Sequence, residues 1–395
     1  MEFDFLDSAP REMTNAYKYT LRNSLFKTQD IIPLWIADMD IDTPYFILDA
    51  IKERLNHPIF GYELFPKSAF IAQQKWIHSR YDFNFDMDEV FYSPSVVATM
   101  GMVIEAFSNI GDRVIVQTPV YPPFFKSVLD YKRELIVNPL TFDKERGYVF
   151  DLDDLKSKID DRVKLLFLCS PHNPVGRCWR RDELIELLEI CLKNNIIVFS
   201  DEIHADLVYE PNQHIPFASL DKRAKDITIT AFGPGKSFNM AGFSTSSIVI
   251  TNKNLRASFL NVYNKRHFSD GVTLSHIAFE SAYINGEVWL NELKEHLLGN
   301  YKMLKEVCNA YNDKIYLVKV EATYLAWLDC RGMGMSNKQL RNFFINEARL
   351  GLASGLSFSK EGSGFMRLNF ALSRKMMQEV VKRLSKALED RYDKN

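Results

Sequence analysis

Three apolar segments, each ending at a polar loop, constrain the fold of this chain more than any other feature. They run over residues 163–169, 196–200 and 226–230. Their β-branched and large apolar residues predict buried strands, and Asn173, Asp201 and Lys236 follow them in turn. In an open α/β sheet, the loops after parallel strands converge on one crevice where ligands bind. We therefore expect these three side chains to meet at one site.

The segments between the strands have helical periodicity. Residues 182–193 place apolar side chains three and four positions apart, and residues 113–117 and 247–250 predict further strands. Alternating strands and helices favour an α/β fold with a mostly parallel, doubly wound sheet. No low-complexity segment or repeat interrupts the pattern.

The C-terminal third has a different character, with long amphipathic segments around short strands. Helices are predicted at 287–311, 338–348 and 375–391, and strands at 315–320 and 365–369. This pattern predicts a smaller α+β domain. We expect an N-terminal arm and part of the small domain at 1–50, a large domain at 51–288, and the C-terminal small domain at 289–395.

Composition excludes several classes of protein. With a net charge of −2 over 395 residues and no long charged run, the chain gives no support to nucleic-acid binding. The sequence contains no apolar stretch near 18 residues, and the acidic N-terminus differs from a signal peptide. The five cysteines form no CxxC pair, which disfavours a disulfide framework or a metal site and favours buried free thiols. A cytoplasmic enzyme is expected.

The three converging side chains match the requirements of one cofactor, pyridoxal 5′-phosphate. Lys236 offers an amine for a Schiff base, Asp201 an anion for the pyridinium nitrogen, and Asn173 a donor to the ring oxygen. A phosphate-binding loop of nucleotide enzymes is excluded, because Thr230 stands where that motif requires its first glycine.

Motifs along nearly the whole chain strengthen this interpretation. They comprise Pro33-Leu-Trp-Ile-Ala-Asp-Met39, Gly61-Tyr62, Thr118-Pro-Val-Tyr-Pro-Pro-Phe124, Ser170-Pro-His-Asn-Pro-Val-Gly-Arg177, Ser200-Asp-Glu-Ile-His204, Lys236-Ser-Phe-Asn-Met-Ala-Gly242, Thr323-Tyr-Leu-Ala-Trp-Leu-Asp329 and Arg367-Leu-Asn-Phe-Ala371. In order and spacing they resemble the fold-type I pyridoxal-phosphate enzymes. Within these, the chain is most similar to the MalY/PatB-type cystathionine β-lyase group, the cystalysin-like C–S lyases.

The resemblance implies a role for each matching polar residue. Lys236 is expected to hold the cofactor and then to remove the substrate α-proton. Asp201 is expected to pair with the ring nitrogen, the alternative being a helix N-cap. Asn173 is expected near the ring oxygen, together with His204, where aminotransferases commonly have tyrosine. The alternative for His204 is a buried polar residue with satisfied hydrogen bonds.

Two further residues are expected at the substrate, where Asn173 is also expected to bind. Tyr121 lies among three prolines, and the resemblance implies that its ring stacks on the cofactor and its hydroxyl assists proton transfer. An ordinary core or interface tyrosine is the alternative. Arg367 is expected to hold the substrate α-carboxylate through a two-pronged ion pair, and the alternative is a surface salt bridge.

The phosphate group requires backbone N–H donors and positive potential. A helix that begins near Val97, Ala98 and Thr99 is expected to supply both. The resemblance also implies that Tyr62 reaches the phosphate from a neighbouring subunit, and therefore that the protein is a homodimer with shared active sites.

Two positions depart from common patterns of the superfamily. Gly235 stands where many relatives carry a serine that binds the phosphate, and Ser244 stands where many aminotransferases carry arginine. The missing arginine fits the C–S lyase branch. The missing serine is expected to weaken cofactor binding by about 1.5–3 kcal/mol.

The resemblance implies β-elimination from cystathionine, cysteine or a related amino acid, giving a thiol, pyruvate and ammonia. Two alternatives stay open at this point. An aminotransferase would use the same residues but would require a keto acid. A regulatory or binding protein that retains the fold is disfavoured by the intact Lys236, Asp201 and Arg367.

Overall fold

The computed structural model describes residues 3–143, 146–267 and 271–393. Residues 1, 2, 394 and 395, which belong to the predicted arm and small domain, lie outside the described residues.

Strands and helices alternate through the first two thirds of the chain. The strands are β1 Ile32–Pro33, β2 Val90–Ser93, β3 Arg113–Thr118, β4 Glu134–Pro139, β5 Thr141–Asp143, β6 Gly147–Val149, β7 Val163–Cys169, β8 Ile197–Asp201, β9 Thr228–Phe232, β10 Ser246–Val249, β11 Tyr316–Leu317, β12 Leu325–Asp329, β13 Leu350–Gly351, β14 Ala353–Ser354 and β15 Phe365–Asn369. The helices are α1 Tyr17–Thr20, α2 Arg22–Phe26, α3 Tyr45–Leu55, α4 Lys67–Tyr81, α5 Val96–Phe107, α6 Pro123–Asp130, α7 Leu152–Lys158, α8 Arg181–Lys193, α9 Ala224–Ile227, α10 Lys253–Lys265, α11 Thr273–Asn285, α12 Glu287–Ala310, α13 Asn337–Asn342 and α14 Arg374–Tyr392.

A seven-stranded sheet forms the centre of the molecule, in the order β2-β10-β9-β8-β7-β3-β4. The strands from β9 to β4 are parallel, whereas β10 pairs antiparallel with both β9 and β2. The parallel strands β7 to β9 are almost entirely buried, which explains their continuous apolar sequence. The predicted α/β class with a mostly parallel, doubly wound sheet is confirmed.

A second sheet, in the order β11-β12-β15-β14, lies in the C-terminal third; α12 contacts β11 of this sheet, and α14 contacts α12. The N-terminal segment joins this region, because β1 pairs in parallel with β13 through Ile32 and Leu350. The domain boundaries given above stay a prediction.

Three predicted elements differ from those observed. Residues 226 and 227 were expected in a strand but end the helix α9, because the Asp221 carboxylate accepts the N–H of Ala224 and supports a helical turn there. The strand predicted at 315–320 is limited to β11, because the following chain leaves the sheet and the Glu321 N–H donates to Gly176 O at 2.9 Å. The helix predicted at 338–348 continues from α13 as a π-helical segment, Phe343–Glu347.

All five cysteines are free and buried, as the sequence predicted. Among the described residues, no helix combines the length and the apolar character that crossing a bilayer requires.

Candidate active site

Seven of the predicted site residues lie around one cavity of about 760 Å³ at the carboxyl ends of β7, β8 and β9. The lining includes these predicted residues: Val97, Tyr121, Asn173, Asp201, His204, Lys236 and Arg367. Parallel pairing places the ends of the three strands at the same edge of the sheet, which brings together side chains that are far apart in sequence. Asp201, for example, is the last residue of β8 and lies beside Cys169, the last residue of β7.

Lys236 follows the Gly-Pro-Gly turn after β9, and its amine faces the N-terminal segment. Its Nζ donates to Ala37 O at 2.6 Å. Burial is the main cause that lowers the pKa of Lys236 to about 8; the positive charge of Arg367 acts in the same direction, while the carboxylates of Asp38 and Asp201 oppose the shift. The amine is therefore much closer to its uncharged, nucleophilic form near neutral pH than an ordinary lysine.

Asp201 is only 5% exposed and accepts a hydrogen bond from the Ile203 N–H at 3.3 Å. Burial raises the pKa of Asp201 to about 7, an effect that the nearby Lys236 partly offsets. The residues directly after β8 form turns, so Asp201 does not cap a helix and that alternative is wrong. A cationic group placed against this carboxylate would restore its ionised state.

His204 is buried, and its Nδ1 has no hydrogen-bond partner among the described residues. Burial lowers the pKa of His204 to about 3, so the ring is neutral at ordinary pH. The ring contacts Tyr324 edge to face, with centroids 6.0 Å apart. The alternative of a polar residue with satisfied hydrogen bonds therefore does not hold for Nδ1.

Asn173 and Arg367 are joined directly. The Arg367 Nη1 donates to Asn173 Oδ1 at 3.0 Å, and Nη2 donates to Trp35 O at 2.6 Å. Because Asn173 Oδ1 accepts a hydrogen bond from Arg367, the NH₂ group of the Asn173 side chain is the part that can still act as a donor. Arg367 is 4% exposed, which excludes the surface salt bridge, and burial lowers its pKa to about 10.

Tyr121 lies between β3 and α6 and is 38% exposed. Its backbone N–H donates to Asn173 O at 3.2 Å, which links the loop after β3 to the loop after β7. Partial burial of the hydroxyl raises the pKa of Tyr121, so the phenol is protonated at neutral pH. Because the ring lines the cavity, a purely core position is wrong.

The start of α5 contributes differently from the sequence-based expectation. Ser95 caps this helix, its Oγ accepting the Ala98 N–H and its backbone O accepting the Thr99 N–H, both at 3.1 Å. These two predicted donors are thus used within the helix, whereas Val96 and Val97 line the cavity. Of the three predicted donors, Val97 is therefore the one that lines the cavity, and the phosphate-binding role of the three residues stays a prediction.

Tyr62 does not line this cavity and is fully exposed. Its predicted role belongs to a neighbouring subunit, so the position of Tyr62 within one chain does not test it.

The sequence analysis missed the contribution of the N-terminal segment. Trp35, Ala37 and Asp38 line the cavity, and Ala37 O accepts from both Lys236 and the Tyr324 hydroxyl, the latter at 3.1 Å. The motif from Pro33 to Met39 was noticed but offered no side chain with an evident role. A backbone acceptor leaves no such signal in a sequence.

The groups around the cavity fit pyridoxal 5′-phosphate. The cofactor carries an aldehyde, a basic ring nitrogen, a ring oxygen and a phosphate. Around the cavity lie groups of matching chemistry: the amine of Lys236, the buried carboxylate of Asp201, the unpartnered Nδ1 of His204 and the beginning of α5. A buried carboxylate and an unpartnered buried nitrogen are costly without a ligand, which is the observation that supports the fit.

The chain also matches known proteins over nearly its whole length. Residues 29–384 match the model of the family "Aminotransferase class I and II". Cystathionine beta-lyase PatB of Bacillus subtilis strain 168 is 36% identical over 376 residues, covering 95% of this chain and 97% of that protein.

Solved structures agree with this match. Cystalysin of Treponema denticola, whose crystal structure contains pyridoxal 5′-phosphate, superposes with a TM-score of 0.94 at 32% identity, covering 99% of this chain and 100% of that one. A PLP-bound protein of Clostridium difficile 630, described as a candidate aminotransferase, has a TM-score of 0.95 at 34% identity, covering 98% and 100% of the two chains.

Proposed function

The chain belongs to the aminotransferase class I and II family, and we propose that within this family it is a pyridoxal-phosphate-dependent C–S β-lyase. Its substrates are cystathionine, cysteine or related S-substituted cysteines, and its products are a thiol, pyruvate and ammonia. The observation that carries this assignment is the end-to-end similarity to cystathionine beta-lyase PatB, supported by the polar residues gathered in the cavity.

The cavity contains the residues that would hold the cofactor. Lys236 would bind the aldehyde carbon, Asp201 would pair with the ring nitrogen, Asn173 and His204 would serve the ring oxygen, and Tyr121 would stack on the ring. When bound, pyridoxal phosphate supplies an electron sink that makes the α-proton of an amino acid acidic and allows a β-substituent to leave.

Lys236 removes the proton from the substrate α-carbon. Its pKa of about 8 keeps a useful fraction of the amine uncharged near neutral pH, so Nζ accepts the proton from the substrate α-carbon. The hydrogen bond from Nζ to Ala37 O keeps the amine at the N-terminal wall of the cavity. The Tyr121 hydroxyl, whose raised pKa keeps it protonated at this pH, would assist later proton transfers.

Arg367 binds the substrate α-carboxylate and fixes which bond is broken. The guanidinium is buried and held by Asn173 Oδ1 and Trp35 O, and its Nε has no hydrogen-bond partner among the described residues. Arginine presents its N–H groups in a fixed plane, so an anchored guanidinium orients the carboxylate and therefore the α-carbon.

Product analysis with L-cystathionine, pyridoxal phosphate and no keto acid tests the proposal. Release of pyruvate and ammonia in equal amounts over many turnovers is expected, and Lys236→Ala is expected to abolish it because both the anchor and the base are lost. Retention of full activity in that variant would remove Lys236 from the mechanism.

An aminotransferase is the second candidate, and the similarity to the Clostridium difficile protein favours it. Both reactions begin with removal of the α-proton by the same lysine. Their difference is measurable, because an aminotransferase forms product only when a keto acid accepts the amino group.

We further propose a homodimer in which Tyr62 of one subunit serves the cavity of the other. An exposed apolar segment supports this assembly: Ile59, Phe60, Tyr62 and Leu64 are all at least half exposed. A contiguous exposed apolar segment of this kind is typical of an interface. The cytoplasmic location stays a prediction.

A further inference from the structure

One part of the cavity lining is not used by the groups that fit the cofactor. It comes from the N-terminal segment and from the C-terminal third of the chain, and its large apolar residues are Tyr17, Trp35, Ile36 and Phe358. Arg367, which we propose binds the substrate carboxylate, belongs to the same part of the lining. A substrate bound by Arg367 therefore has these apolar residues beside it.

Tyr17, the first residue of α1, contributes an aromatic ring where the cavity meets solvent. The residue lines the cavity although it is 63% exposed. Its ring centroid lies 5.9 Å from that of Trp35. The Trp35 ring is partly buried, and its Nε1 donates to Lys18 O at 3.3 Å, which fixes its orientation. The two rings together present apolar surface and ring faces to a ligand.

This aromatic pair is joined to the residue that would hold the substrate carboxylate. Trp35 O accepts from Arg367 Nη2 at 2.6 Å, and the Arg367 guanidinium lies 4.8 Å from the centroid of the Phe358 ring. The S-substituent of a cysteine begins close to the α-carbon and hence close to the α-carboxylate. A ring attached to the sulfur is therefore within reach of the aromatic pair.

The charges around the cavity disfavour a charged S-substituent. Among the described residues of the lining, the cationic side chains are Lys236 and Arg367, and the proposed reaction uses both. Of the two carboxylates in that lining, Asp38 is paired with Arg11 and Lys18, and the other would serve the cofactor. The distal carboxylate and ammonium of cystathionine would thus lose water without gaining a counter-ion, whereas an uncharged ring avoids this cost.

We propose that Tyr17 and Trp35 determine substrate specificity by binding the S-substituent, and that they select cysteines whose sulfur carries an uncharged aromatic group. The inference rests on the proposed function, since it concerns the substrate of the same site. Ring pairs contribute more than the area they bury, so an aromatic substituent gains more than a methyl group. Elimination from S-benzyl-L-cysteine would consume water and give benzyl thiol, pyruvate and ammonia.

Steady-state kinetics with S-benzyl-L-cysteine, S-methyl-L-cysteine and L-cystathionine test this role. For the wild type, the highest kcat/KM is expected with the benzyl substrate. Tyr17→Ala is expected to lower kcat/KM about tenfold for the benzyl substrate and only about twofold for the methyl substrate. Tyr17→Phe, which keeps the ring, is expected to keep the preference of the wild type.

A matched control is available in Tyr316→Ala. Tyr316 is also exposed, at 42%, and its ring centroid lies 6.1 Å from that of Phe142, but the residue does not line the cavity. The control variant is expected to match the wild type with all three substrates.

Binding of analogues without a leaving group separates this inference from the proposed function. In the analogues, a methylene group replaces the sulfur of the benzyl and methyl substrates, so elimination is not possible. Calorimetric titration of the protein loaded with pyridoxal phosphate is expected to show that Tyr17→Ala weakens binding of the benzyl analogue more than that of the methyl analogue.

Equal losses for the benzyl and methyl compounds in Tyr17→Ala, or no loss for either, would overturn the inference. A higher wild-type kcat/KM for L-cystathionine than for S-benzyl-L-cysteine would overturn it as well. If no substrate is cleaved while the analogues still differ in binding, the proposed function is contradicted and the aromatic binding site is supported.

Discussion

At the scale of single residues, burial sets the chemistry of the cavity. It lowers the pKa of Lys236 to about 8, raises that of Asp201 to about 7 and lowers that of Arg367 to about 10. In each case the charged form is disfavoured by removal from water. A cationic ring nitrogen beside Asp201 and an anionic carboxylate beside Arg367 would therefore favour the charged forms of these two side chains.

The pKa of Lys236 predicts a distinct pH dependence of its reactivity. In the cofactor-free protein, labelling of Lys236 by an amine-specific reagent is expected to be low below pH 7, half-maximal near pH 8 and complete above, because only the uncharged amine reacts. Peptide mass spectrometry measures the labelled fraction of Lys236 at each pH. In urea-denatured protein, labelling of the same lysine is expected to be half-maximal at pH ~10.4. Labelling curves that coincide for the folded and the denatured protein would show that burial does not change the pKa of Lys236.

Replacement of Asp201 separates cofactor binding from catalysis. Asp201→Asn keeps the shape of the side chain but removes the anion that we propose pairs with the ring nitrogen, so kcat is expected to fall by about 10²–10³-fold. Asp221→Asn, which alters a carboxylate at the start of the α9 turn, serves as the control. Steady-state kinetics that differ by less than about threefold between the two variants would remove Asp201 from the electrostatic role.

At the scale of elements, the segment over Lys236 is held mainly through its backbone. The Asn239 side chain donates to Ile41 O at 2.6 Å, and Asn369 donates to Ile36 O at 2.7 Å and to Asp38 O at 2.6 Å. These contacts bind residues 36–41 to the Lys236 turn and to β15. The cavity wall is thus built from three distant parts of the chain.

A buried ion-pair cluster anchors this segment from the other side. Lys18 is fully buried and pairs with Asp40 at 2.7 Å and with Asp38 at 3.3 Å. Lys18→Met leaves these carboxylates short of a cation, so the free energy of unfolding is expected to fall by about 3–5 kcal/mol. Urea denaturation of the variant and the wild type measures this difference in the free energy of unfolding.

An exposed ion pair provides the control for that substitution. Lys52 pairs with Asp49 at 2.8 Å while remaining largely exposed, so Lys52→Met is expected to change stability little. Similar small effects of the two substitutions would mean that the cluster around Lys18 does not hold the N-terminal segment.

Sequence patterns predicted the strands and helices that have a clear local periodicity. They also predicted the site residues that contribute a reactive or charged side chain. The strand at 163–169 and the helix at 182–193 agree with β7 and α8, and the cavity contains Asn173, Asp201 and Lys236. Contacts made by backbone atoms were not predictable. Ala37 contributes only a carbonyl oxygen, and the donors at the start of α5 depend on which residue caps the helix.

At the scale of the whole molecule, the proposed assembly would complete each site with Tyr62 of the other subunit. Mixed subunits test this arrangement. Lys236→Ala is expected to be inactive, and Tyr62→Phe is expected to bind pyridoxal phosphate about tenfold more weakly through loss of one charge-assisted hydrogen bond. At limiting cofactor, refolding the two variants together should restore part of the activity, because each mixed dimer contains one wild-type site.

The control for the mixed dimers is refolding of each variant with itself, where no wild-type site forms. Additive activity of the mixture, or a monomeric protein in sedimentation equilibrium, would contradict a shared site.

The most direct test of the central claim measures how L-cystathionine is partitioned between elimination and amino transfer. Pyruvate, ammonia and transferred amino groups are counted with and without an added keto acid. A C–S β-lyase is expected to release pyruvate and ammonia in equal amounts over many turnovers, at a rate that the keto acid does not change. Product that forms only in the presence of the keto acid, with no release of ammonia, would contradict the account and identify an aminotransferase.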